Sequence, residues 1–121
     1  MYEDRPALRP GEARAFIEFK NQPRPKPQRY FVGWDVGQSQ DYSAVSVLKK
    51  MDTGAYVVVH LERLALGMDY PSQVNHVYSL INRKPLAGAD TTVCLDQTGV
   101  GRAIYDMGRK KGLNPVGLSL H

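Results

Sequence analysis

The sequence contains a single cysteine, Cys94. No internal disulfide can form, so the fold must rest on its apolar core, and a reducing compartment is the expectation. Cys94 falls mid-strand, where an inert buried thiol is expected. No apolar run approaches the roughly 18 residues of a membrane-spanning helix. The N-terminus lacks the apolar segment of a secretory signal. These absences make a cytoplasmic location the expectation. No stretch matches G-x-x-x-x-G-K followed by Ser or Thr, which excludes a phosphate loop of that type. His60, His76 and His121 are not spaced as metal ligands, and no Ser-His-Asp or Cys-His set is present.

What remains is an ordinary globular composition. Of 121 residues, 42% are apolar and 23% charged, enough for one small domain with a modest core. The net charge of +4 weakly favours a polyanionic partner. The chain changes character near residue 29. Residues 1–29 hold five of the eight prolines, seven Lys or Arg and four acids. Gln22-Pro-Arg-Pro-Lys-Pro-Gln-Arg29 alternates proline with basic side chains, which favours an extended, polyproline-like segment. Ala13, Phe16, Ile17 and Lys20 fall at helical spacing and admit a short helix over Gly11–Lys20. Residues 1–29 read as a Pro-rich basic linker or tail, or as an arm that touches DNA phosphates.

From Tyr30 the pattern is regular. Residues 30–36 are, apart from Asp35, an apolar run and predict a central strand buried on both faces. Residues 42–49 predict a second strand, with Val45 and Val47 on one face and Ala44 and Leu48 on the other. Met51-Asp-Thr-Gly54 supplies a turn, and residues 55–63 predict a third strand. Short links make these an antiparallel meander. Asp69-Tyr-Pro-Ser opens a helix with the apolar stripe Val74, Val77, Tyr78, Ile81, ended by Pro85 and Gly88. Thr91–Leu95 is a fourth strand. Val100, Ala103, Ile104 and Met107 stripe a second helix, which Gly112 stops. Arg109-Lys110-Lys111 at its end suits the helix dipole. Pro115–Leu120 is a fifth strand. The order β-β-β-α-β-α-β predicts an α/β mixed sheet with helices packed on it, its crossovers right-handed.

Two aspartates end two of these strands. Asp35 closes Tyr30-Phe-Val-Gly-Trp-Asp35, and Asp96 closes Thr92-Val-Cys-Leu-Asp96. If the fourth strand lies parallel beside the first, both emerge at the carboxyl edge of neighbouring strands, where ligands of open α/β sheets collect. Converging carboxylates bind hard divalent cations through oxygen. Each can instead be a turn-forming cap. Asp41 is either a further carboxylate behind these two or the start of the second strand. Thr98-Gly99-Val100-Gly101 opens the second helix. Its glycines either let backbone N–H groups approach a phosphate, with Arg102 beside them, or make a tight strand-to-helix turn.

These residues carry a resemblance. Gly33-Trp-Asp35 with Gln40-Asp41-Tyr42-Ser-Ala, and Leu95-Asp96-Gln-Thr98-Gly99-Val100-Gly101, are similar to the two acidic strands of the nuclease domain in the large terminase subunit of tailed bacteriophages, a ribonuclease H-like fold. Glu62-Arg63 is a weaker echo. The resemblance covers about residues 30–120. It implies metal-dependent cleavage of double-stranded DNA during genome packaging, with Asp35 bridging two Mg²⁺ or Mn²⁺ ions and Asp96 holding one. It further implies packaging partners, such as the small terminase subunit and the portal, and a phage or prophage gene expressed in a bacterial cytoplasm. The family's remaining acid comes from beyond the fifth strand, so 30–121 is expected to be a nuclease domain lacking its C-terminal elements, with weak or no cleavage by this length of chain. The other expectations are a non-catalytic module binding DNA or a packaging protein, and an ATP-binding domain of the actin and sugar-kinase type, for which the chain is short.

Overall fold

The structure is a computed structural model and describes residues 9–21, 27–38, 40–99 and 101–118. Its elements run α1 (Pro10–Asn21), β1 (Arg29–Asp35), β2 (Ala44–Lys50), β3 (Tyr56–Arg63), α2 (Tyr70–Ile81), β4 (Asp90–Asp96), α3 (Gly101–Lys111) and β5 (Val116–Leu118). The helix admitted over Gly11–Lys20 is present as α1. Residues 22–26, 100 and 119–121 lie outside the described residues, so the extended reading of the Pro-rich segment, the place of Val100 and the end of the fifth strand are not on view.

The strands form one mixed sheet in the order β3-β2-β1-β4-β5. β1, β2 and β3 make the expected antiparallel meander. The β2–β3 turn closes through Met51 N–H to Ala55 O (2.7 Å), with Gly54 at φ +88°, a conformation that glycine adopts without strain. β4 lies parallel to β1, and β5 parallel to β4. The β3–α2–β4 and β4–α3–β5 crossovers run the same way across the sheet. Right-handedness therefore puts α2 and α3 on one face, where they touch each other and α3 meets β4.

That face is the core. Val32, Trp34, Val45, Val47, Val93 and Leu95 point into it from the strands and are almost fully buried. Val77 and Ile104 meet them from the helices, both 0% exposed. Among the described residues the other face has no such layer. Along β1 burial alternates rather than persists, so the strand is buried on one face only, not on both as its apolar run implies. Val58 and Leu61 of β3 and Val116 and Leu118 of β5 remain exposed.

The helix stripes also differ from the spacing. α2 starts at an Asp69 cap, whose carboxylate accepts the Ser72 N–H at 2.7 Å, with Pro71 in the first turn. It buries Gln73, Val74, Val77 and Leu80. Tyr78 is turned outward and Ile81 only half-buried. The stripe is rotated because Gln73 is drawn inward: its Oε1 accepts the Trp34 Nε1–H at 3.3 Å and its Nε2 donates to Met68 O at 3.0 Å. The helix stops at Ile81, before Pro85, because the Asn82 side chain donates to Tyr78 O at 2.8 Å and caps it. On α3 the buried positions are Gly101, Ile104 and Gly108, while Ala103 and Met107 are exposed. Lys111 lies over the outward Tyr78 ring, 4.7 Å from its centroid.

Candidate functional site

Strand alternation decides where the two aspartates go. Tyr30, Val32 and Trp34 face the helices, so Phe31, Gly33 and Asp35 face the open side. On β4, Val93 and Leu95 face the helices, so Cys94 and Asp96 share the open side. The parallel register pairs Gly33 with Cys94 and Trp34 with Leu95. Asp35 and Asp96 are the next residue on each strand, side by side at the carboxyl edge on strands about 4.8 Å apart. The chain thus brings together the pair that the sequence singles out.

Below them lies a groove of about 530 Å³, lined by Gly33, Ala44, Ser46, Leu61, Cys94 and Leu118 as well as the two acids. Its floor is low because the central strands carry small side chains there. A Cβ at Gly33 would stand 2.8 Å from Ser46 Oγ. Cys94 lines this groove half-exposed, which corrects the expectation of a buried thiol: the mid-strand position is right, but its side chain is on the face without a helix layer.

Each acid is set by its turn. Asp96 Oδ1 accepts the Thr98 N–H at 2.9 Å, and a Cβ at Gly101 would lie 1.8 Å from the Asp96 carbonyl oxygen. Gly99 has φ +65°. The two glycines therefore have a structural reason, the tight turn from β4 into α3. Arg102 follows as an exposed residue of α3. After β1, Gly37 N–H donates to Ser43 Oγ at 2.9 Å, and a Cβ at Gly37 would meet the Asp41 and Tyr42 carbonyl oxygens at 2.5 Å. Asp41 lies in this folded-back loop. It lines a separate hollow of about 170 Å³ with Gln38, Ser43, Tyr70 and Gln73, and does not line the groove of Asp35 and Asp96.

The donor set suits a hard cation. Mg²⁺ keeps several waters and is held through one or two carboxylates plus substrate phosphates rather than by a full protein cage, and Asp35 and Asp96 offer such a pair facing solvent. Among the described residues no group of three His, Cys, Asp or Glu is gathered to hold a metal.

A second cluster escapes the spacing of the sequence. Glu62 of β3 hydrogen-bonds His76 of α2 through Oε1, and its Oε2 lies 3.4 Å from His60 Nε2. Partial burial of the Glu62 carboxylate opposes its ionisation, but the hydrogen bond and charge of His76, and then His60, outweigh this and hold its pKa below the ordinary value. Register places Glu62 opposite Val45 and His60 opposite Val47, on the helix-covered side, away from Asp35 and Asp96. His60 and Glu62 two apart on a strand signal a shared face; nothing in the sequence brings His76 to them.

Searches against known protein families, curated proteins and solved structures return no match to this chain.

Proposed function

We propose that the chain from Tyr30 onward is a ribonuclease H-like domain of the phage terminase nuclease type, which cuts DNA phosphodiester bonds with the help of divalent cations. One observation carries this reading: Asp35 and Asp96, distant in sequence, stand side by side at the carboxyl edge of neighbouring parallel strands, on the face open to solvent. The element order β-β-β-α-β-α-β, on which the resemblance to that fold rests, and the parallel pairing of β4 with β1 support it. Asp35 and Asp96 would hold Mg²⁺ or Mn²⁺ between the sheet edge and a DNA phosphate, and the ion would supply Lewis-acid stabilisation of the phosphoryl charge. The protein's own part is to aim the carboxylates. The Thr98 N–H fixes one oxygen of Asp96, and the low floor at Gly33 and Ala44 leaves room for the sugar–phosphate chain beside Asp35.

The test is thermal stability with and without Mn²⁺ for the wild type, Asp35→Ala and Asp96→Ala. Mn²⁺ at about a hundred times its Kd adds about 2.7 kcal/mol to the native state, a rise of more than about 10 °C for a domain of this size. Both variants are expected to lose it. Nicking of supercoiled plasmid in Mn²⁺ is the accompanying activity assay. No stabilisation of a folded wild type sinks the reading. Stabilisation by ATP instead points to the nucleotide-binding alternative, and DNA affinity unchanged in both variants without Mn²⁺ stabilisation points to a binding module.

A further inference from the structure

We infer that Arg63, stacked on Tyr42, is a phosphate anchor that holds the DNA backbone one or two nucleotides from the bond cut at Asp35 and Asp96; this rests on the nuclease reading above. Arg63 is the last residue of β3 and pairs with Ala44 of β2, which pairs with Asp35 of β1. Arg63, Ala44 and Asp35 therefore form one row across the sheet and share its open face. Asp96, paired with Leu118, continues that row on the far side. Arg63 is thus two strands, about 10 Å, from Asp35 along the carboxyl edge.

The Arg63 guanidinium sits over the Tyr42 ring, 4.2 Å from its centroid. Stacking covers one face of the guanidinium and leaves its in-plane N–H groups free to form a fork, the geometry that grips a phosphate through two parallel hydrogen bonds. Among the described residues no carboxylate lies within ion-pair distance of Arg63. Its charge is therefore not spent inside the fold. Tyr42 is itself held: Gly37 packs against its carbonyl, and the next residue, Ser43, accepts the Gly37 N–H and is buried. A long flexible side chain is in this way fixed in place before any ligand arrives, which lowers the entropy lost on binding. A role limited to fastening the 36–43 loop would place the same stack but would make no demand on ionic strength.

The experiment measures binding of a short fluorescein-labelled DNA duplex by anisotropy across a salt series, in EDTA so that no cation takes part. Arg63→Ala is expected to weaken binding about tenfold and to lower the slope of log Kd against log salt by about one. Arg63→Lys keeps the charge and should keep the slope, with weaker affinity from the lost fork. Tyr42→Leu removes the platform and should weaken binding with the slope unchanged, which covers the case in which Arg63→Ala fails to fold. Wild-type slope and affinity in Arg63→Ala, or in Tyr42→Leu where Arg63→Ala does not fold, overturn the proposal, as does a wild type that does not bind DNA. Because the carboxylates are read separately by Mn²⁺ stabilisation, a failure at Arg63 with that stabilisation intact leaves the nuclease reading standing. Loss of both removes the two together.

Discussion

Gly101 shows how closely the candidate site is built at the level of single atoms. A Cβ there would stand 1.8 Å from the Asp96 carbonyl oxygen, a contact that only backbone movement can relieve. That carbonyl belongs to the acid on which the site depends, so Gly101→Ala pushes Asp96 off its strand end. Overpacking of this kind costs about 1–3 kcal/mol. Urea denaturation followed by Trp34 emission is the check, since Trp34 is the only tryptophan and is 2% exposed. The midpoint is expected to fall and Mn²⁺ stabilisation to be lost; an unchanged midpoint contradicts the packing described here. Gly11 on α1 is the control, because a Cβ there meets nothing within 4 Å, and Gly11→Ala should shift stability by less than about 1 kcal/mol. The pair Asp35 and Asp96 was legible in the sequence because each ends an apolar run just before a turn. Asp41 was not, because its place depends on a loop folded back through Gly37, which no periodicity encodes.

Elements are fastened to one another by polar contacts that the spacing of apolar residues does not reveal. Glu62 links β3 to α2 through His76 and draws in His60 as well. Its folded pKa is depressed, so its stabilising contribution is fully present above the carboxylate's unfolded value, near 4.3. That contribution is lost as pH falls through the lower folded value. The expected result is that wild-type stability drops more steeply on acidification below about pH 5 than that of Glu62→Gln, which has no carboxylate to titrate there. Chemical denaturation at a series of pH values measures this, and identical acid limbs for the two proteins count against the link. The phase of α2 went astray for a related reason. Gln73 looks like a surface residue, yet its amide satisfies the Trp34 N–H inside the core, and that buried pair turns Tyr78 out. On α3, Gly101 and Gly108 are buried along with Ile104 because the helix lies close to the Asp96 backbone and to Leu113. A reading based on apolar side chains passes over glycine.

At the scale of the whole molecule, the core formed by the described residues lies on one side of the five-stranded sheet, which divides a covered face from an open one. The meander was legible because its links are short. Right-handed crossovers made a fourth strand parallel to the first, and beside it, one economical solution, but spacing did not force that placement and left the fifth strand's place open. Which face the helices take was not legible, since Tyr30-Phe-Val-Gly-Trp is apolar at nearly every position and fits either side. The asymmetry has a direct energetic consequence. Ile104 is 0% exposed between α3 and the sheet, whereas Leu61 on the open face is 71% exposed. Ile104→Ala leaves a cavity and is expected to cost about 2–5 kcal/mol. Leu61→Ala removes little that folding shields from water, and its expected cost is within about 0.5 kcal/mol. Urea midpoints of the two variants, measured at two protein concentrations tenfold apart, separate two outcomes. A cheap Leu61→Ala at both concentrations means that the face bearing Asp35 and Asp96 stands open in solution. A Leu61→Ala cost approaching that of Ile104→Ala, and growing with concentration, means that a second copy covers the groove, because association with the native state stabilises it by mass action. The carboxylates would then be reachable by DNA only after the copies part, and the salt series for Arg63 would have to be run on the dilute protein.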